Sequence, residues 1–273
     1  DLNIEPGTIT ALVGNNGSGK STLFKMIMNL VNYDKGDIKV FNKHVNNGDE
    51  SWKKEIAYQP QTTIGYDAFT GNQLKELISE WYPNWDDELF KRLTELFDIP
   101  LTKRHGKLSQ GAQQKLTLAL TIARQTKILI LDEPTSFLDI PSKKQLIDLL
   151  IEWMDQDERS IIFASHQAED VKKIADYIVI LRNGQMIGQY EKEQLTEGYK
   201  RYWLKEPLQD ISIPGEVSRD QHSFLSENPN VTEMFLKAND MKWIKSTSIE
   251  LDEIISLELK KKPDGYNNVN GKI

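Results

Sequence analysis

The spacing of apolar positions changes along the 273-residue chain, and each change predicts an element. "TITALVG" (residues 8–14) is a short apolar run ending at a glycine and reads as a buried strand. After Lys20 the apolar positions Leu23, Ile27 and Leu30 recur at helical spacing. Short strand-like pieces follow, "DIKVF" and "EIAYQPQ". From Thr70 the helical period takes over. "TGNQLKELISEWY" has Thr70 and Gln73 spaced as a capping box, with Leu74, Leu77, Ile78 and Trp81 as its apolar stripe. "NWDDELFKRLTELF" repeats the device, with Asn84 or Asp86 as the cap and Leu89, Phe90, Leu93, Leu96 and Phe97 as the stripe. Trp81 and Trp85 are read as core of this helical insert.

Beyond the insert, strands and helices alternate. A helix follows Ser109, and then comes the strand "KILILD". Another helix opens near Pro141, a good first-turn residue, and buries Leu146, Leu149, Leu150 and Trp153. Strand "SIIFAS" precedes a helix through Val171, Ile174 and Ala175, and "YIVILRNGQMIGQY" reads as a hairpin on Asn183-Gly184. The alternation predicts an α/β fold around a mostly parallel sheet. After Leu204 the pattern weakens. "EPLQDISIPGEVSRDQ" reads as loop and edge strand, and residues 204–273 as a small α+β appendage whose final stretch, "KKPDGYNNVNGKI", is mobile.

Composition narrows the function. The net charge is −7 and no dense Lys/Arg block occurs, which argues against nucleic acid as a partner. The absence of cysteine excludes disulfides and thiolate metal sites. The longest apolar runs are short, such as "ILIL" (residues 128–131), so no membrane span is predicted, and no signal peptide is visible.

The chemistry concentrates in a few places. "GNNGSGKS" (residues 14–21) matches the P-loop pattern and stands where that motif must, after a buried strand and opening a helix. Gly14, Gly17 and Gly19 let the backbone of Gly14, Asn15, Asn16, Gly17, Ser18 and Gly19 curl, so that successive N–H groups face one phosphate chain. Lys20 then places a positive charge on the β- and γ-phosphates, Ser21 offers its hydroxyl to Mg²⁺, and Thr22 reaches the α-phosphate. "ILILDEP" is an apolar strand ending in two carboxylates, and such a strand seldom ends so without a cation to face. Asp132 is read as holding Mg²⁺ through water, and Glu133 as polarising a water for attack on the γ-phosphate. The plainer alternative for this acidic pair is a helix cap. His166, at the end of the next strand, is a candidate γ-phosphate sensor, its alternative being a structural histidine. Gln61, after "IAYQP", is a candidate bridge between Mg²⁺ and the water. Finally, "LSQGAQQK" opens a helix at Ser109, Gln110 and Gly111, and so makes a second site favourable to an anion.

In order and spacing these motifs resemble the nucleotide-binding subunits of ABC transporters, over residues 1–203. "GNNGSGKST" looks like Walker A, "IAYQPQ" the Q-loop, "LSQGA" the LSGGQ signature, "ILILDEP" Walker B, "SFLD" (residues 136–139) the D-loop, and "SH" with His166 the switch. The resemblance implies an ATPase with a P-loop, RecA-like core sheet and a small antiparallel β part. It implies a helical subdomain at about 63–115, with residues 204–273 as an accessory region. It implies ATP and Mg²⁺, a second ATPase subunit forming a homo- or heterodimer, and an integral membrane transporter subunit through which alone the protein meets the cytoplasmic face of the membrane. Two such subunits pair head-to-tail. Ser109, Gln110 and Gly111 of one then cap the phosphate held by Lys20 of the other, with Asp139 at the same interface. That arrangement would explain why one chain has two phosphate-seeking helix ends.

Two signature positions depart from the family: Gln110 replaces its first Gly, and Ala112 its Gln. Ser109 and Gly111 are kept, so function is expected to survive. The family's adenine-stacking aromatic is expected upstream of Asp1. "ISEWYPNWDDELF" resembles a bacterial exporter branch handling peptides or amphipathic antimicrobials, of the bacitracin/lantibiotic or phenol-soluble-modulin type. The competing reading is a soluble ABC ATPase of DNA maintenance or translation. DNA-maintenance members carry a long coiled-coil insertion and translation factors carry two cassettes, and neither feature is seen here.

Overall fold

The computed structural model describes residues 1–156, 158–208 and 211–261. It divides into two compact units, Asp1–Met186 and Ile187–Ile273. The first opens with β1 (Ile9–Val13), α1 (Lys20–Ile27), the short pair β2 (Lys39–Val40) and β3 (Lys43–His44), and β4 (Ile56–Gln59). The helical insert supplies α2 (Gly71–Ser79), α3 (Asp87–Leu96) and the start of α4 (Gln110–Ile122). Then follow β5 (Ile128–Asp132), α5 (Ile140–Met154), β6 (Ser160–Ser165), α6 (Ala168–Ile174) and β7 (Tyr177–Arg182), and β8 (Gln185–Glu191) runs on into the second unit.

The main sheet has the order β4-β5-β6-β1-β7-β8. The pairs from β4 to β7 are all parallel. β1 and β6 are buried at every residue, as parallel strands covered on both faces must be. Against one face pack Phe24 of α1 and Met28, its C-cap, with Val40, Val45 and Trp52. Leu30 was expected to extend the stripe of α1, but it is 59% exposed. The helix stops at Ile27, and Asn29 turns the chain through a left-handed backbone (φ 52°).

Local signals set the helix starts of the insert. Thr70 and Gln73 form the complete capping box, with reciprocal bonds of 3.3 and 2.9 Å. Asp86, rather than Asn84, caps α3 by accepting the Leu89 N–H at 2.9 Å. Leu74 and Ile78 are buried as expected, but Leu77 is exposed and Trp81 is 71% exposed. The reading of Trp81 as core is therefore corrected: α2 ends at Ser79, so Trp81 lies past the helix and off its apolar stripe. Asn183 and Gly184 have φ of 50° and 77°, the positive pair that a tight hairpin turn requires.

The second unit contains α7 (Lys192–Glu197), β9 (Lys200–Leu204), β10 (Glu216–Arg219), β11 (Ser223–Ser226), α8 (Pro229–Ala238), β12 (Trp243–Ser248) and α9 (Leu251–Lys260). Its antiparallel sheet runs β10-β11-β9-β12. Tyr202, Leu204, Ile213, Phe224 and Leu236 form its core, with Tyr202 stacked on Phe224 at 5.2 Å. The unit begins earlier than residue 204, because β9 is an interior strand of this sheet. The tail expectation falls from residue 262 onward outside the described residues. No described helix is long and apolar enough to cross a membrane.

Candidate functional site

The site grows from the carboxyl ends of β1 and β5. These ends carry the P-loop and the acidic pair, and because β1 and β5 run parallel on either side of β6, both open at the same edge of the sheet. A pocket there is lined by Asn16, Gly17, Ser18, Gly19, Lys20, Ser21, Thr22, Gln61, Asp132 and Glu133. Residues read separately from the P-loop, the Q-loop segment and the acidic pair thus share one pocket.

Gly19 is the N-cap of α1, with a left-handed φ of 105° and no side-chain cap. Only glycine adopts that backbone without strain, and the first N–H groups of the helix stay open to an anion. Lys20 is buried, and its ammonium donates to the carbonyls of Gly14 (2.7 Å) and Asn15 (3.3 Å). The loop therefore holds the cation through its own carbonyls. Gln61 lies just past the end of β4 and is exposed.

Asp132 is buried, and burial pushes its carboxyl above the usual range; a Ser21 hydrogen bond and the Lys20 charge oppose the shift. Among the described residues, Asp132 Oδ1 and Ser18 Oγ are buried without a hydrogen-bond partner. Ser21, Asp132 and Gln61 make an oxygen donor set suited to Mg²⁺, and the unpartnered Asp132 Oδ1 fits a metal ligand. No cluster of three or more His, Cys, Asp or Glu exists among the described residues.

The raised Asp132 pKa has a direction in stability. The folded chain binds this proton more tightly than the unfolded chain, so stability falls as pH rises from the ordinary carboxylate range through the folded pKa. Above that, the buried charge is a full penalty. Asp132→Asn is expected to raise the melting temperature of nucleotide-free protein at neutral pH by about 2–4 °C, equivalent to about 1 kcal/mol. The gain should shrink as pH falls toward the ordinary carboxylate range, and reverse with Mg²⁺ and ATP present. Thermal scans with and without Mg-ATP check this; a lower melting temperature without nucleotide would contradict it.

Glu133 is also buried, and its backbone has φ 53°. A non-glycine residue there costs about 1–3 kcal/mol, and the following Pro134 restricts it further. His166 Nδ1 lies 2.7 Å from Glu133 Oε2. A hydrogen bond to a carboxylate acceptor makes Nδ1 the donor and leaves Nε2 at the far edge of the ring. The neighbourhood is braced. The Thr135 hydroxyl donates to Asp170 Oδ2 at 2.7 Å, Lys143 pairs with Asp170 at 2.8 Å, and Lys143 also bonds Gln167 beside the histidine. Sequence reading missed this brace, since Asp170 sits unremarkably in the first turn of α6.

Ser109, Gln110, Gly111 and Asp139 do not line this pocket. Ser109 caps α4, accepting the Ala112 N–H at 3.3 Å, and Ser109 and Gln110 are exposed. Asp139 caps α5 through Ser142 (2.8 Å) and lies 3.5 Å from Lys115; its Ser142 hydrogen bonds chiefly hold its pKa below the usual range. The chain therefore presents one phosphate cradle and, outside it, a second helix start.

Residues 1–136 match the family model described as ABC transporter. The chain is 30% identical over 198 residues to the ABC transporter ATP-binding protein YtrB of Bacillus subtilis (strain 168), covering 72% of this chain and 68% of that protein. It is 28% identical over 255 residues to the oligopeptide transport ATP-binding protein OppD of Lactococcus lactis subsp. cremoris (strain SK11), covering 86% of this chain and 75% of that protein. A solved structure described as the ATP binding subunit of an ABC transporter superposes with a TM-score of 0.65 at 24% identity, over 72% of this chain and 83% of that one, which speaks for the fold. The chain belongs to the ATP-binding subunits of ABC transporters, a family that hydrolyses ATP.

Proposed function

We propose that this chain is the motor of a bacterial transporter, closing head-to-tail with a second ATPase subunit around two Mg-ATP and driving a membrane subunit that exports a peptide or amphipathic antimicrobial. The observation that carries the reading is the pairing of a complete P-loop pocket with a capped, exposed helix start at Ser109 outside it. Each pocket lacks the second helix end that the partner's Ser109 and Gly111 would bring. Within the pocket Lys20 and the α1 N–H groups hold the phosphates, and Ser21, Asp132 and Gln61 hold Mg²⁺, which neutralises phosphate charge. Glu133 accepts a proton from the attacking water, and His166 orients the Glu133 carboxylate.

The helical insert is the proposed seat of the membrane subunit. It follows Gln61 directly, and this stretch of chain exposes Ile64 (91%), Phe69, Leu77 and Trp81 to solvent. Isolated apolar side chains are ordinary on a surface, but four along one segment suit an interface. Glu76 and Glu80 are exposed beside Leu77 and Trp81. Neither YtrB nor OppD carries a direction of transport in its name, and the export reading rests on the resemblance of residues 78–90.

One reconstitution tests both points. With the membrane subunit in inside-out vesicles, Mg-ATP added outside should drive a peptide substrate inward. Reversing the charge of Glu76 and Glu80 should lower this coupled flux several-fold while leaving nucleotide affinity unchanged. Cross-links to the membrane subunit confined to residues 204–273 would overturn the docking site, and uptake only by right-side-out vesicles loaded with ATP would overturn export.

A further inference from the structure

The helix that starts at Ser109 also touches the segment carrying Glu133. Gly111 and Gln114 are three residues apart on α4 and share one face. The backbone at Gly111 lies so close to the following loop that a Cβ there would stand 2.8 Å from the Phe137 carbonyl oxygen. Gln114 is buried, and its amide Nε2 donates to the carbonyls of Glu133 (3.2 Å) and Pro134 (3.3 Å).

Glu133 needs such support. Its left-handed backbone is restrained by three other contacts. Its N–H donates to the Ala164 carbonyl at 3.1 Å, its carbonyl accepts the Ser136 N–H at 3.1 Å, and its carboxylate meets His166. The first two are main-chain bonds that any sequence in this fold would make. Among the described residues, Gln114 is the one side chain that donates to the Glu133 carbonyl.

We propose that Gln114 is a positioning residue for hydrolysis: its amide clamps the Glu133 and Pro134 carbonyls and so fixes the left-handed turn that aims the Glu133 carboxylate at His166 and the phosphate pocket. The role rests on Glu133 being the base. It has a consequence for the dimer. The base of one site is seated on the same helix whose start serves the other site, so a shift of α4 on meeting the partner's nucleotide reaches Glu133 through one amide.

Steady-state kinetics on the full chain with Mg-ATP test the role. Gln114→Met removes the donor and keeps a buried side chain of similar length. Its kcat should fall about 10-fold with the KM for ATP within about twofold, the pattern of an interaction that matters to the chemical step and not to binding. In a Glu133→Gln background the same substitution should change residual single-turnover hydrolysis less than about twofold, because the base it seats is gone. It should also leave ATP-trapped dimer intact. Wild-type kcat in Gln114→Met, an equal loss in both backgrounds, or loss of the trapped dimer would overturn the proposal, the last two assigning Gln114 to the stability of α4. If the Met variant does not fold, Gln114→Asn keeps a polar amide but, one methylene shorter, draws it out of reach of both carbonyls and is expected to give the same readings; wild-type kcat there would show that donation to these carbonyls is not needed. Normal hydrolysis by the Glu133→Gln parent would remove the base assignment itself, and the positioning role with it.

Discussion

Glu133→Gln is expected to bind Mg-ATP as tightly as the wild-type chain while hydrolysing it slower by on the order of 10²-fold or more. The amide keeps the size of the carboxylate and its place at the end of β5, so the P-loop, Lys20 and Asp132 are undisturbed. It cannot take a proton from water. The His166 contact at 2.7 Å also changes, from a bond to a charged acceptor to a bond to a neutral one. With hydrolysis blocked, bound ATP should hold two chains together, so a dimer should appear on size exclusion only with ATP. Single-turnover assays measure the chemical step, and a fluorescent nucleotide measures affinity. Near-normal hydrolysis would sink the assignment of the base.

Mixing two inactive variants should restore activity. Ser109→Arg leaves its own P-loop intact and blocks the α4 start with a bulky cation. Lys20→Ala loses the ammonium that the loop holds beside Gly14 and Asn15, yet keeps a sound signature. Either variant alone makes a dimer with two defective sites. In a mixed head-to-tail dimer both defects fall in one site, and the other site pairs an intact Lys20 with an intact Ser109. Up to about half of the wild-type activity per mixed dimer is expected, with the membrane subunit added if isolated chains are inactive. If Ser109 served the nucleotide of its own chain, every site would stay broken and the mixture would remain inactive. A wild-type/double-mutant heterodimer is the control, since it too has one intact site; activity there with none in the mixture would refute the trans arrangement.

The chain determined by itself whatever depends on residues within about a turn of one another. The Thr70 capping box, the cap on α3, the Asn183-Gly184 turn and the P-loop leading from strand to helix all formed as read, because a cap or a positive φ is satisfied by immediate neighbours. The pocket residues were also legible, since a parallel sheet brings its strand ends together whatever packs beneath it. Trp81 and Leu30 were misplaced because a periodic stripe does not state where its helix stops. The Leu204 boundary failed for a different reason: β9 joins its sheet through β11 and β12, strands that follow it in the chain. Asp86 and Asn84 have equal capping chemistry, and only the path of the chain chose between them. The tertiary structure alone decided the seat of Glu133. Its left-handed backbone is costly in isolation, and the groups that hold it come from Gln114 and Ala164, remote in the chain and side by side in the fold.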